Sequence, residues 1–323
     1  MGEVIKGIVL RVESKDYYLY SKEKDEIIRS VLRGKFKKEF SLKKDKLYKT
    51  DIAVVGDIVD FDLNKDGTGF IYNIEERKNY LSRKAPRIKG AGYRGERLEQ
   101  VIAANIDDIY IVSSVYEPDF NNKVVDRLLV TGESSHISVS IIINKNDLDI
   151  ENFIKEWAIL YESVGYKVYL TSAYSGQGLN KLKRSLKGKI NLFWGHSGVG
   201  KSSLFNKMYP SLNLRTGIIS TFTDKGTHTT VTSEMIKTAP ETYIIDTPGI
   251  REIEPYGIKK EDLCHYFPEF LPYINECRFN TCTHHHEPGC AVIEAVEEEN
   301  ISSYRYNSYL KMLGTIEDDI IFK

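Results

Sequence analysis

Over residues 1–80, apolar and polar positions alternate in short runs: Val4–Val12, Tyr17–Tyr20, Ile52–Val55, Ile58–Leu63 and Gly69–Ile74. Turn residues such as Asn64-Lys65-Asp66-Gly67 separate them. A period of two marks strands with one buried face. Five short strands in this length predict a small barrel of the OB-fold kind. Past residue 100 the pattern changes. Asp107–Ser113, Ile137–Ile143, Lys167–Thr171, Lys189–Trp194 and Thr242–Ile245 are nearly continuous apolar runs, as buried strands require. Asn122–Gly132, Glu151–Val164, Leu179–Leu186 and Lys201–Met208 carry helical spacing. Strands alternating with helices predict a mostly parallel sheet covered on both faces. From about residue 258 the chain turns helical and rich in Cys and His. These shifts predict a multidomain α/β chain: a barrel at 1–80, a Gly-rich basic linker at 81–100, an α/β domain at 101–257 and a helical, metal-binding domain at 258–323.

Composition adds little to this picture, but charge placement does. The 323 residues are 41% hydrophobic and 28% charged, with a formal net charge of −1. This is ordinary globular composition. Residues 1–100 carry 23 Lys and Arg against 17 Asp and Glu, a net of +6, so the remainder carries −7. The excess is concentrated in Arg29–Lys49, where Phe36, Phe40 and Tyr48 are interleaved with the cations. Cations hold phosphates and rings stack on bases, so this stretch predicts an RNA-facing loop. No apolar run reaches the length of a membrane span, and the charged start is unlike a signal peptide. A cytoplasmic protein that engages no membrane is expected.

The segment Gly195-His196-Ser197-Gly198-Val199-Gly200-Lys201-Ser202 satisfies G-x-x-x-x-G-K-[ST] between a strand and a helix. In that context the backbone N–H groups and the helix N-terminus cradle a phosphate chain. Lys201 would reach the β- and γ-phosphates and Ser202 would bind Mg²⁺, with Ser203 beside it. Asn144-Lys145-Asn146-Asp147 ends another strand. A carboxylate at Asp147 accepts from guanine N1–H and its 2-amino group, a pair that adenine lacks. Lys145 would lay its stem over the base, and Asn144 would tie this loop to the phosphate loop. Ser172-Ala173 would bring an N–H to guanine O6. Asp246-Thr247-Pro248-Gly249 would hold Mg²⁺ through Asp246 and sense the γ-phosphate through the Gly249 N–H. Thr229 or Thr230 would supply a further Mg²⁺ ligand. Finally, Cys277, Cys282, His284 and Cys290 form a closed Cys₃His set suited to one structural Zn²⁺. His285 and His286 are alternative ligands, and Arg278 and Arg305 are candidate RNA contacts.

The base-recognition segments precede the phosphate loop, the reverse of the usual GTPase order. In this order the motifs Asn144–Asp147, Ser172-Ala173, Gly195–Ser202, His228-Thr229-Thr230, Asp246–Gly249 and Cys277–Cys290 resemble the RsgA family of circularly permuted, ribosome small-subunit-dependent GTPases. Val55-Gly56-Asp57-Ile58-Val59, Arg77–Arg83, Tyr266–Phe270 and Glu287-Pro288-Gly289-Cys290 share the resemblance. It implies an OB-fold, a permuted GTPase domain and a zinc-binding domain. It also implies a role in late 30S maturation on 16S rRNA, with the 30S particle stimulating hydrolysis.

Ile250, just after Asp-x-x-Gly, cannot orient a water. His228 is therefore the candidate catalytic group, and slow intrinsic turnover is expected. A monomer is expected, and deletion of residues 1–80 is expected to leave nucleotide affinity largely intact. The rival readings are a P-loop ATPase or kinase and an RNA-binding adaptor with little hydrolysis.

Overall fold

The structure, a computed structural model, describes residues 4–35, 52–84, 99–214, 233–246 and 257–316. In chain order its strands are β1 (Ile5–Glu13), β2 (Asp16–Ser21), β3 (Glu26–Leu32), β4 (Ile58–Leu63), β5 (Gly69–Ile74), β6 (Tyr80–Lys84), β7 (Glu99–Ala104), β8 (Asp108–Ser114), β9 (Ser138–Asn144), β10 (Lys167–Leu170), β11 (Ile190–Trp194), β12 (Glu234–Ala239) and β13 (Thr242–Asp246). Its helices are α1 (Asn122–Ser134), α2 (Ile154–Ser163), α3 (Leu179–Ser185), α4 (Lys201–Met208), α5 (Ala291–Glu297) and α6 (Ser303–Leu313). The described residues fall into two compact units. One draws on 1–109, 180–197 and 201–256, the other on 110–179, 198–200 and 257–323.

The first unit contains the barrel. Its strands run β1-β2-β3-β5-β4, and β4 pairs back with β1 to close the ring. The β3–β5 pairing is parallel and the others are antiparallel. Val9, Leu19, Ile28, Val59, Phe61 and Ile71 fill the interior from alternate positions. One strand departs from the sequence reading. Ile52–Val55 forms no strand beyond a single bridge from Val55 to Ala103, and the missing barrel strand is β3. Its alternation is masked because the inward face carries Ser30 while Ile27 is exposed. A polar Ser30 suits its neighbour: a Cβ on Gly69 would come 2.3 Å from Ser30 Oγ, so only a small pair fits there.

The stretch read as a linker begins and ends in paired strands, β6 against β7, while 85–98 lie outside the described residues. Around it the barrel is stitched to the chain that follows. Arg77 grips the fully buried Asp57 with Nε and Nη2 at 2.7 and 2.8 Å. Asn79 makes reciprocal bonds to Ile106, and the Asn105 amide donates to Gly56 O. In the same unit β11 and β13 are parallel, and β12, which the sequence reading missed, pairs antiparallel with both β13 and β1. The Lys237 ammonium meets the Tyr20 hydroxyl and, at 3.1 Å, Asp25. Deleting residues 1–80 would thus strip β12 of its β1 neighbour, which it meets at Arg11 and Glu234.

In the second unit β9 lies between β8 and β10, and β9 and β10 are parallel. Asn121 caps α1 by accepting from the N–H groups of Lys123 and Val124. The apolar face of α1 packs on the C-terminal region, where Val130 joins Leu263, Phe267, Phe270, Tyr309 and Met312 in one core. This core also encloses charge. Arg305, fully buried, donates to Asp126 at 2.7 Å and to both oxygens of Glu269 at 2.6 and 3.1 Å. The Tyr161 hydroxyl donates to Asp126 at 2.8 Å.

Candidate nucleotide site and metal centre

β9 ends because Lys145 adopts a left-handed backbone (φ +61°), after which residues 146–148 form one 3₁₀ turn. The turn puts Asn144 in a buried position with every amide atom in use. Its Nδ2 donates to Val199 O at 2.9 Å, and its Oδ1 accepts from Thr171 Oγ1 at 3.3 Å and from the Ala173 N–H at 3.2 Å. One side chain therefore joins the loops carrying Asp147, Ala173 and Val199. Asp147 is exposed. Ser172 is buried and accepts from the Ser175 N–H. The Ala173 N–H, expected to serve guanine O6, is directed to Asn144.

The phosphate loop is shaped by the same residue. Gly200 has φ +92°, and a Cβ there would lie 2.4 Å from Asn144 Nδ2. Chirality and space both demand glycine. Lys201 opens α4 and turns its ammonium back onto the loop carbonyls of Gly195 (2.6 Å) and His196 (3.2 Å). Burial pushes its pKa down, and the Asp246 carboxylate partly offsets this. Ser202 and Ser203 are half-buried in the first turn of α4. An edge-on contact of Phe193 with Phe205 (centroids 4.8 Å apart) seats this helix against β11.

Cys277, Cys282, His284 and Cys290 converge, with ligand atoms all within 4.8 Å of one another. His284 Nδ1 lies 3.5 Å from Cys277 Sγ and 3.4 Å from Cys290 Sγ, and the two sulfurs are 3.9 Å apart. Tetrahedral Zn–S bonds of about 2.3 Å put sulfurs roughly 3.8 Å apart, so the donor set and its spacing fit that ion. Burial, the hydrogen bond that the Cys282 thiol donates to Cys290 and the neighbouring thiols push Cys282 up to about 12. Four such donors crowd together at a cost that a bound dication removes by favouring thiolates. His285 and His286 are exposed and present their N–H groups to Glu287 Oε2. The Tyr306 and Tyr309 hydroxyls brace the loop at the carbonyls of His284 and Thr283.

A family model described as RsgA GTPase matches residues 74–255, more than half of the chain. This chain belongs to the RsgA GTPase family. It is 39% identical over 323 residues to the small ribosomal subunit biogenesis GTPase RsgA of Chlorobaculum parvum, covering 98% of this chain and 100% of the relative. It is 38% identical over 317 residues to the small ribosomal subunit biogenesis GTPase RsgA 2 of Bacteroides thetaiotaomicron, covering 97% and 98%. YjeQ from Thermotoga maritima superposes with a TM-score of 0.75 at 34% identity, covering 96% of this chain and 98% of that one. YloQ, described as a circularly permuted GTPase, gives 0.70 at 30%, covering 97% and 94%. This RsgA-family chain is accordingly a GTP-hydrolysing enzyme with an N-terminal barrel, a permuted P-loop GTPase fold and a C-terminal Cys₃His region.

Several expected site residues of this RsgA-family chain, namely His228, Thr229, Thr230, Gly249 and Ile250, lie outside the described residues, as does most of the basic loop, from Phe36 to Lys49. Among the described residues, no helix is long and apolar enough to cross a membrane. One expectation is corrected. Arg305 cannot meet RNA, because it is sealed in the core between Asp126 and Glu269. Its sequence signal was a cation at the i position of the i, i+4, i+7 stripe that Tyr309 and Met312 complete. A charge on an apolar stripe marks a buried pair. Arg278 is exposed beside Phe279.

Proposed function

We propose that this chain hydrolyses GTP in the biogenesis of the small ribosomal subunit, binding the 30S particle through 16S rRNA and being stimulated by it. The observation that carries the nucleotide reading is the Asn144 side chain, which joins the loops bearing Asp147, Ala173 and Val199. Such a tie lets base recognition and phosphate binding order each other. In this reading Asp147 selects guanine and Lys145 covers the base. Lys201 leaves the Gly195 and His196 carbonyls for the stronger acceptors of the β- and γ-phosphates. Residues Gly195 to Gly200 line the phosphates. Ser202 and Asp246, with Thr229 or Thr230, hold Mg²⁺, which neutralises charge on the phosphates when bound. His228 orients the attacking water and the Gly249 N–H senses the γ-phosphate. The ribosomal reading draws on the similarity to small ribosomal subunit biogenesis GTPases and on the basic charge of residues 1–100. A cytoplasmic monomer fits both.

Phosphate release should be measured with 30S subunits, with 50S subunits and without ribosomes. We expect 30S alone to raise the rate by roughly tenfold or more, and Lys201→Ala to abolish it in every condition. Equal rates with and without 30S would remove the ribosomal reading, and an active Lys201→Ala would remove the assigned site.

We also assign one structural Zn²⁺ to Cys277, Cys282, His284 and Cys290. Elemental analysis should find one equivalent per chain. Cys277→Ser should lose the metal and cost about 3 kcal/mol or more of thermal stability, since a closed site contributes folding energy directly. Metal-free protein with an unchanged melting temperature would contradict this.

A further inference from the structure

The turn between β8 and α1 touches both nucleotide loops, yet none of its residues carries a motif. Its Glu117 carbonyl accepts from the Lys145 ammonium. On the same turn, Pro118 Cδ lies 3.4 Å and Glu117 O 3.7 Å from where a Cβ on Gly198 would stand. The turn thus backs the phosphate loop at Gly198 and anchors the base-loop lysine. Glu117 is not a residue that holds this shape unaided, because its φ is +53°, in the left-handed region that costs a non-glycine residue energy. The conformation must be imposed by its surroundings.

Three bonds impose it. The Ser114 hydroxyl donates to Pro118 O at 2.7 Å, the Phe120 N–H to Val115 O at 3.1 Å, and the Val115 N–H to Asn144 O at 3.0 Å. Only the first uses a side chain. Ser114 is fully buried at the end of β8, so its hydroxyl is shielded from water and committed to that bond. A lysine stem has four rotatable bonds, and fixing it over a base costs entropy unless its ammonium is already held. The Glu117 carbonyl holds it, and Ser114 sets where that carbonyl stands.

We propose that Ser114 is a positioning residue for guanine-nucleotide binding, acting through the Glu117–Pro118 turn on Lys145. The proposal rests on the nucleotide site described under Proposed function. Its test is a double-mutant cycle on GDP affinity, with the unaltered chain, Ser114→Ala, Lys145→Met and the double variant titrated against a fluorescent GDP analogue. Loss of this one hydrogen bond should weaken GDP binding about fivefold in Ser114→Ala. In the Lys145→Met background the same substitution should cost nothing further. A merely structural role would instead produce the same loss in both backgrounds, and that result overturns the proposal. So does an affinity unchanged by Ser114→Ala in a chain that binds GDP, which leaves the nucleotide site itself intact. Failure of the unaltered chain to bind GDP overturns the site and the proposal together.

Discussion

Asp147→Asn is expected to weaken GTP and GDP binding roughly a hundredfold to ten-thousandfold while raising affinity for xanthine nucleotides. In the proposed site the carboxylate would accept two hydrogen bonds from guanine, and bonds to a charged acceptor contribute about 1.5–3 kcal/mol each. An asparagine amide presents one acceptor and one donor. Its NH₂ would face the guanine 2-amino group, donor against donor. Xanthine carries a carbonyl at that position, so the same NH₂ finds an acceptor and the amide oxygen keeps the N1–H. Competition of GTP, XTP and ATP for one site measures all of this. Asp147 is exposed on a 3₁₀ turn and anchors no core, so the folded chain should survive the change. If the variant kept the guanine preference of the unaltered chain, the base would be read elsewhere.

The second large effect is structural. Arg305→Ala should destabilise the unit that holds α1 and the cysteine cluster by about 3–5 kcal/mol, because it leaves Asp126 and Glu269 without their cation. Burial alone would drive the guanidinium pKa down, but the two carboxylates reverse this and hold it above its ordinary value. Arg305→Lys should fare little better, since one ammonium cannot serve Asp126 and both Glu269 oxygens. Adding Asp126→Asn and Glu269→Gln to Arg305→Ala should recover part of the loss, because the abandoned charges are then gone. Urea unfolding reports this through Trp157, whose ring centroid lies 5.0 Å from that of Tyr304, next to Arg305. A loss below about 1 kcal/mol would show that water reaches the carboxylates. Because Asp126 sits on α1, directly after the turn that touches Lys145 and Gly198, the cysteine-rich region is built into the half of the molecule that carries the base loop.

The buried parallel strands and the phosphate loop were legible in the sequence because each is written in consecutive residues. Ile141–Ile143 announce a strand and Gly198 to Ser202 announce a cradle, whatever surrounds them. The Cys₃His spacing was legible for the same reason, and the fold separated His284 from His285 and His286. The strand β3 was hidden because Ser30 faces inward beside Gly69, a choice made by packing rather than by strand preference. β12 was hidden because Glu234–Ala239 alternates weakly, and its pairing with β1 joins positions more than two hundred residues apart.

By itself, the sequence determined which groups this chain offers to the proposed sites: the carboxylate, ammonium, hydroxyls, thiols and imidazole, each within a short local motif. Only the tertiary structure decided which of them meet and what holds them. Asn144 bonding Val199, Ser114 bonding Pro118 and Arg305 between Asp126 and Glu269 are of that kind. Local spacing encodes turns and helix faces, whereas a contact between distant residues exists only once the core has closed and removed the competing water.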